Sequence, residues 1–235
     1  DQLTKSCIDN NTAMVYGTNF SIGVNIFFTI NSALAKIMNA NLGYECTVKE
    51  VHHTEKKDAP SGTGITIAED IIAEMISDDA DVRDVVRNSL LEHSTVQSTK
   101  TKEKRANKNK KDVYEIYHDF KIETTRVKPY QTLAINRGEK EGFLKISFGF
   151  NKVDLLSKVS ETYFNFDDSV FMDILNDVVD DSFTRLIFPS IEREARNYLT
   201  EMADQHAIDI FAANLRQLLL QPPIMNKIIM GIDPG

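Results

Sequence analysis

The sequence predicts a mixed fold: an N-terminal α/β fragment followed by a mainly α-helical scaffold with one short β element. Three observations carry this. Residues 12–51 alternate strand, helix and strand signals, the order of an α/β unit. The composition then shifts once, near residues 68–78. From Asp181 onward, apolar residues recur almost only at helical spacing.

Taken in order, Thr12-Ala13-Met14-Val15-Tyr16 reads as a short strand closed by Gly17. Ile22, Ile26, Phe27, Ile30, Leu34, Ile37 and Met38 recur at helical spacing, so a buried helix is expected over 21–38, broken by Asn39–Gly43. Cys46–Val51 returns to strand character. After a polar loop, Ile65–Ile76 is a helix, and Ser77-Asp78-Asp79 places acids in the first turn of another that runs to about Leu91. No apolar period marks 92–111. Seven of the twelve residues from Lys100 to Lys111 are Lys or Arg, which reads as a solvated linker. Tyr130–Arg137 gives a short helix ended by Gly138, and Phe143–Phe148 alternates like a strand.

Two helices follow. Phe183, Leu186, Ile187, Ile191, Ala195 and Tyr198 form the stripe of the first. Thr200 caps the second, whose stripe is Ala203, Ala207, Ile210, Phe211, Leu215 and Leu218, and the Leu218-Leu219-Leu220 run is core. Pro222-Pro223 stops it, and Ile228–Ile232 reads as a buried strand. The expected segments are 1–67, 68–99, a basic linker over 100–128, 129–224, and 225–235.

With 235 residues, 42% hydrophobic and 26% charged, the chain is of ordinary globular composition. Its formal net charge of −8 argues against a purely electrostatic nucleic-acid binder but leaves room for a local basic patch. Cys7 and Cys46, far apart, suggest reduced thiols and a cytoplasmic setting. No apolar stretch is long enough to span a bilayer, so no membrane partner is expected. Both ends read as cut: the first residue is Asp1, and Gly235 follows directly on an apolar run.

The chemistry is concentrated in Glu50-Val51-His52-His53-Thr54-Glu55-Lys56-Lys57-Asp58-Ala59-Pro60-Ser61-Gly62-Thr63. A loop that opens a helix offers free backbone N–H groups and a dipole to an anion. Gly62 permits close approach, Ser61 or Thr63 adds a hydroxyl, and Lys56 supplies charge and a proton. His52 and His53, adjacent on extended backbone, point to opposite sides. The alternative is a surface loop with an ordinary helix cap. Zinc needs more ligands than two adjacent histidines supply, so no metal is expected.

This run resembles the signature of 4-hydroxy-tetrahydrodipicolinate reductase. Gly17-Thr18-Asn19-Phe20-Ser21-Ile22-Gly23-Val24-Asn25 is similar to the same family's segment joining its nucleotide and substrate domains. The likeness covers about residues 12–70. It implies NAD(P)H-dependent reduction of a cyclic imine dicarboxylate in the diaminopimelate route of lysine biosynthesis, with NADPH or NADH as cofactor. It implies His52 as acid/base and Lys56 as proton donor. The substrate carboxylates fall to His53, Gly62 and Thr63, with Ser61 beside them, and the nicotinamide to Gly17, Thr18, Asn19 and Phe20. Gly64 stands where that family usually has Ala. The family's Gly-rich dinucleotide turn has no counterpart in this sequence.

From about Ile67 the chain resembles Tex-type transcription accessory proteins. The likeness rests on Ala68–Glu74, Ser77–Arg83, Leu133–Gly142 and Pro189–Glu194. It is longest at Ala212-Ala213-Asn214-Leu215-Arg216-Gln217-Leu218-Leu219-Leu220-Gln221-Pro222-Pro223, which leads into Gly231-Ile232-Asp233-Pro234-Gly235. It implies RNA or DNA as partner, with the last strand opening an RNase H-like domain. Lys100, Lys102, Lys104, Arg105, Lys108, Lys110 and Lys111 are the residues available to phosphates, if that run is more than a linker. The sequence as a whole reads as a composite of the two families, incomplete for both. The alternative is a Tex-like scaffold without enzyme activity.

Overall fold

A computed structural model of the chain describes residues 2–15, 17–41, 46–57, 59–101, 112–164, 171–222, 225–228 and 230–233. Among these it is mainly helical, with one small antiparallel sheet. It divides into two compact units, residues 1–89 with 151–192, and residues 90–150 with 193–235.

The first unit holds α1 (Gln2–Asp9), α2 (Ile22–Asn39), α3 (Gly62–Asp78), most of α4 (Ala80–Glu92), α6 (Lys152–Tyr163) and α7 (Met172–Asp181). A π-helical turn (Ser182–Ile187) and the start of α8 (Phe188–Leu219) complete it. Its core is apolar: Ala73 and Ile76 of α3 are buried, as are Val82 and Val86 of α4. So are Leu155 and Val159, Val178 and Val179, Phe183, Ile187 and Ile191. The acids after Ser77 do begin a new helix, because the Asp79 carboxylate accepts the Val82 N–H at 2.9 Å and so satisfies one of α4's free donors. At the π-turn, the buried Ser182 hydroxyl donates to the Ala73 carbonyl at 2.7 Å, tying that irregular turn to α3.

The α/β character expected for residues 1–67 is not found among the described residues. Residues 12–15 and 46–51 form no ladder, and no described residue before Thr95 is in a strand. The helix expected at 21–38 is present as α2, but it is not buried. Ile22, Ile26, Phe27, Ile30, Leu34 and Ile37 are each at least half exposed, and α2 turns Asn31 and Ala35 inward instead.

The second unit is built on β1 (Thr95–Lys100), β2 (Asp119–Glu123) and β3 (Leu144–Gly149), in the order β2-β1-β3 with both pairs antiparallel. Val96 lies opposite Ile122 on one side and Phe148 on the other. Residues 95–99, expected in the helical segment, are thus strand, as are Lys100 and 119–123 within the expected linker. Its period was hidden because the second inward residue of β1 is Ser98, fully buried and donating to the Tyr117 carbonyl at 2.6 Å.

α5 (Pro129–Lys140) runs through Gly138 rather than stopping there. A Cβ at Gly138 would lie 2.6 Å from Cδ1 of Leu144, so the glycine lets the helix approach β3. Likewise α8 does not break at Thr200. That hydroxyl donates to the Arg196 carbonyl and accepts from the Asn136 amide, each at 2.8 Å, which is a mid-helix role and not a cap. Leu218, Leu219 and Leu220 are exposed, not core, and the described residues of 228–232 form no strand. Among the described residues, no helix is long and apolar enough to cross a membrane.

Candidate functional site

The His-rich loop folds around a residue that the sequence reading passed over. Glu50 and His52 stand two apart on extended backbone, so their side chains fall on the same side. The His52 Nε2 lies 2.8 Å from the Glu50 carboxylate. Ser61 is the N-cap of α3: its Oγ accepts the Gly64 N–H at 3.1 Å. Ser61 then donates twice to Glu50, from its backbone N–H at 2.9 Å and from its hydroxyl. These two hydrogen bonds, the hydroxyl's first, lower the Glu50 pKa to about 2, with His52 adding a smaller pull.

The N-terminus of α3 therefore already holds an anion. Ser61, which the reductase resemblance places beside the substrate carboxylates, gives both its donors to the chain's own Glu50. Gly64 completes the arrangement, since a Cβ there would come within 3.1 Å of the Glu50 carboxylate.

Other predicted residues come together only in part. Thr18 reaches α3: its hydroxyl is 3.2 Å from that of Thr66, and its side chain lies 3.5 Å from where a Cβ on Gly62 would sit. The His53 side chain is exposed, while its carbonyl accepts the Lys56 N–H at 3.1 Å. Lys56 and Thr63 are half-buried.

Two of the residues assigned to the nicotinamide, Thr18 and Asn19, are hydrogen-bonded within the chain. Asn19 accepts the Ser21 N–H through its side chain at 2.8 Å, and its carbonyl accepts the Asn25 amide at 3.0 Å, so it is spent on starting α2. Phe20 is exposed, and Thr18 is engaged with Thr66. Of the basic run, Lys100 ends β1, donating its N–H to the His118 carbonyl at 3.1 Å with Nζ 3.9 Å from Asp112. Lys102, Lys104, Arg105, Lys108, Lys110 and Lys111 lie outside the described residues. No group of three His, Cys, Asp or Glu suited to a metal occurs among the described residues.

Against known families, the Tex central region-like family matches residues 47–211. The chain belongs to that family. The match includes the His-rich loop, α3 to α7 and most of α8, so it begins before the point at which the sequence first looks Tex-like. The Bacillus subtilis uncharacterized protein YdcI is 39% identical over 168 residues, 72% of this chain and 23% of that protein. The human S1 RNA-binding domain-containing protein 1 is 34% identical over 179 residues, 70% of this chain and 18% of its own length. A 4-hydroxy-tetrahydrodipicolinate reductase from Christiangramia forsetii is 44% identical over 66 residues, 28% of each chain. The Tex-family chain thus spans less than a quarter of these two Tex-like relatives, and it also carries a segment similar to a reductase.

Proposed function

We propose that this Tex-family chain serves as a nucleic-acid-associated scaffold in transcription, and that its reductase-like segment persists as a folded cap on α3 rather than as a working active site. The carrying observation is the family match over 47–211, which runs through that cap and the helices behind it. The human relative's name points to RNA as the class of partner. On this reading the seven basic residues from Lys100 to Lys111 meet phosphates, and each contact adds to a salt-dependent affinity. Cys7 and Cys46, both free thiols, suit a cytoplasmic setting.

The test is fluorescence anisotropy with single-stranded RNA and duplex DNA oligonucleotides between 50 and 200 mM salt. Affinity falls steeply with salt and is lost when the seven basic residues are neutralised to Gln. Binding that is absent, or indifferent to salt, removes the proposal.

A second reading, that reductase chemistry survives, is favoured by the Glu50–His52 pair, in which a carboxylate orients the imidazole from 2.8 Å. Under it, the intact chain oxidises NADPH in the presence of the cyclic imine dicarboxylate, and His52→Ala or Lys56→Ala abolishes the rate. No turnover by the intact chain ends that reading.

A further inference from the structure

On the face of α3 turned toward α7 lies a cavity that neither family resemblance uses. Its volume is about 350 Å³, within the range of small-molecule sites. Val48, Ile65, Ala68, Ile72, Ile174 and Leu175 make its wall apolar. Two carboxylates, Glu50 and Glu69, also line it, and no Lys, Arg or His is among its described lining residues. We infer that this cavity binds a small apolar molecule bearing an ammonium group.

Glu69 decides the charge. Partial burial raises its pKa, and the carboxylates of Asp177, Asp70 and Asp181, which share a neighbouring cavity with it, push it the same way, so its ionised form is disfavoured until a cation arrives. The nearby cation, Arg185, is engaged elsewhere: its guanidinium meets Asp181 at 2.7 Å and Asp70 at 3.8 Å. Glu50, held ionised by Ser61, adds a second negative charge at the wall. An anionic ligand meets repulsion from both. A neutral one leaves the partly desolvated Glu69 charge without a partner. An ammonium supplies that partner while its hydrocarbon body fills the apolar space.

The test uses three near-isosteric probes, 2-phenylethylammonium, 2-phenylethanol and 3-phenylpropionate, titrated into the intact chain and followed by calorimetry and by methyl NMR of Ile72 and Ile174. The ammonium binds at least tenfold tighter than the alcohol, the propionate does not saturate, and the shifts centre on those two isoleucines. Glu69→Gln narrows the ammonium preference over the alcohol at least threefold, the remainder coming from Glu50. Ala68→Phe, which fills the space, abolishes binding. Should Ala68→Phe fail to fold, the methyl shifts in the unmodified chain and the Glu69→Gln comparison still decide. Equal binding of the three probes, no binding of any, or shifts away from Ile72 and Ile174 overturns the inference.

Discussion

Gly138→Ala sets two physical effects against each other at one position. Glycine inside a helix costs about 1 kcal/mol relative to alanine, so on propensity alone the substitution stabilises by that amount. The structure opposes this. The added Cβ would lie 2.6 Å from Cδ1 and 3.0 Å from Cγ of Leu144, and 3.1 Å from Cδ1 of Tyr114. Neither neighbour is free to swing away. Leu144 and Tyr114 are buried, the Tyr114 ring lies against Phe143 with centroids 5.7 Å apart, and its hydroxyl donates to Glu141 at 3.1 Å. Overfilling a close-packed core costs roughly 1–3 kcal/mol, and so short a contact belongs in the upper part of that range. The clash wins, leaving a net loss of about 1–2 kcal/mol after the propensity gain. Urea denaturation reads this as a lower midpoint at unchanged slope. The decisive control is the Leu144→Ala background, which removes the opposing atoms. There Gly138→Ala becomes neutral or stabilising, with a coupling on the order of 1–3 kcal/mol in the double-mutant cycle. Stabilisation by Gly138→Ala in the unmodified background would refute the packing argument.

Three further outcomes are expected. Ile187→Ala, at a fully buried position in the π-turn, costs about 2–5 kcal/mol in urea denaturation, because the surrounding helices close only part of the cavity. Ser61→Ala removes the α3 cap, at about 1 kcal/mol, and one of Glu50's donors, so NMR titration should show the Glu50 midpoint moving from about 2 toward 4.5. Since the folded pKa of Glu50 is depressed, its contribution is present above the ordinary carboxylate range and is lost as pH falls through about 2; the stability deficit of Ser61→Ala should accordingly be larger at pH 6 than at pH 2. Glu139→Ala unpairs Arg196 and frees the Ile146 N–H, which Glu139 accepts at 3.2 Å; with both charged side chains about one-third exposed, the loss is about 1 kcal/mol by chemical denaturation.

What could be read from the sequence was whatever had an apolar period with a partner to meet it. The stripe through Phe183, Ile187, Ile191 and Ala195 is buried as expected, and β3 falls where Phe143–Phe148 alternates. The Asp79 break between α3 and α4 was likewise announced by its acids. Illegible elements have polar cores or little core at all. β1 buries Ser98, whose hydroxyl is satisfied by a carbonyl that only the fold brings near. α6 buries just Leu155 and Val159, too few to mark a period, and it fell with α7 in a stretch to which no element was assigned. Gly138 and Thr200 look like stop and start signals, but tertiary neighbours give both mid-helix work. α2 is the converse: its period is clear, yet the side chains that carry it are exposed. In the loop, His52 and Ser61 were legible, but Glu50, the residue that joins them, was not singled out. Its only signal was its spacing from His52.

The junction of the two families is physically coherent, and α3 shows why. It runs unbroken from Gly62 to Asp78, begins on a reductase-like cap, and buries Ala73 and Ile76 in the core shared with α4 and α7. A helix asks only two things of such a joint: that its first turn has donors and acceptors satisfied, and that its apolar face keeps register. Ser61 and Glu50 meet the first condition, and Ala73 with Ile76 meets the second. The flanking α2 meets α3 through both backbone and side-chain groups. Asn31 donates to the Ile67 carbonyl at 3.1 Å, and Asn39 to the Glu74 carbonyl at 3.0 Å. Those two contacts read backbone, which every helix presents alike, but Asn39 also donates to the Asp78 carboxylate at 2.9 Å and Asn31 hydrogen-bonds Asp70, so α2 is held in part by side chains of the Tex-like stretch itself.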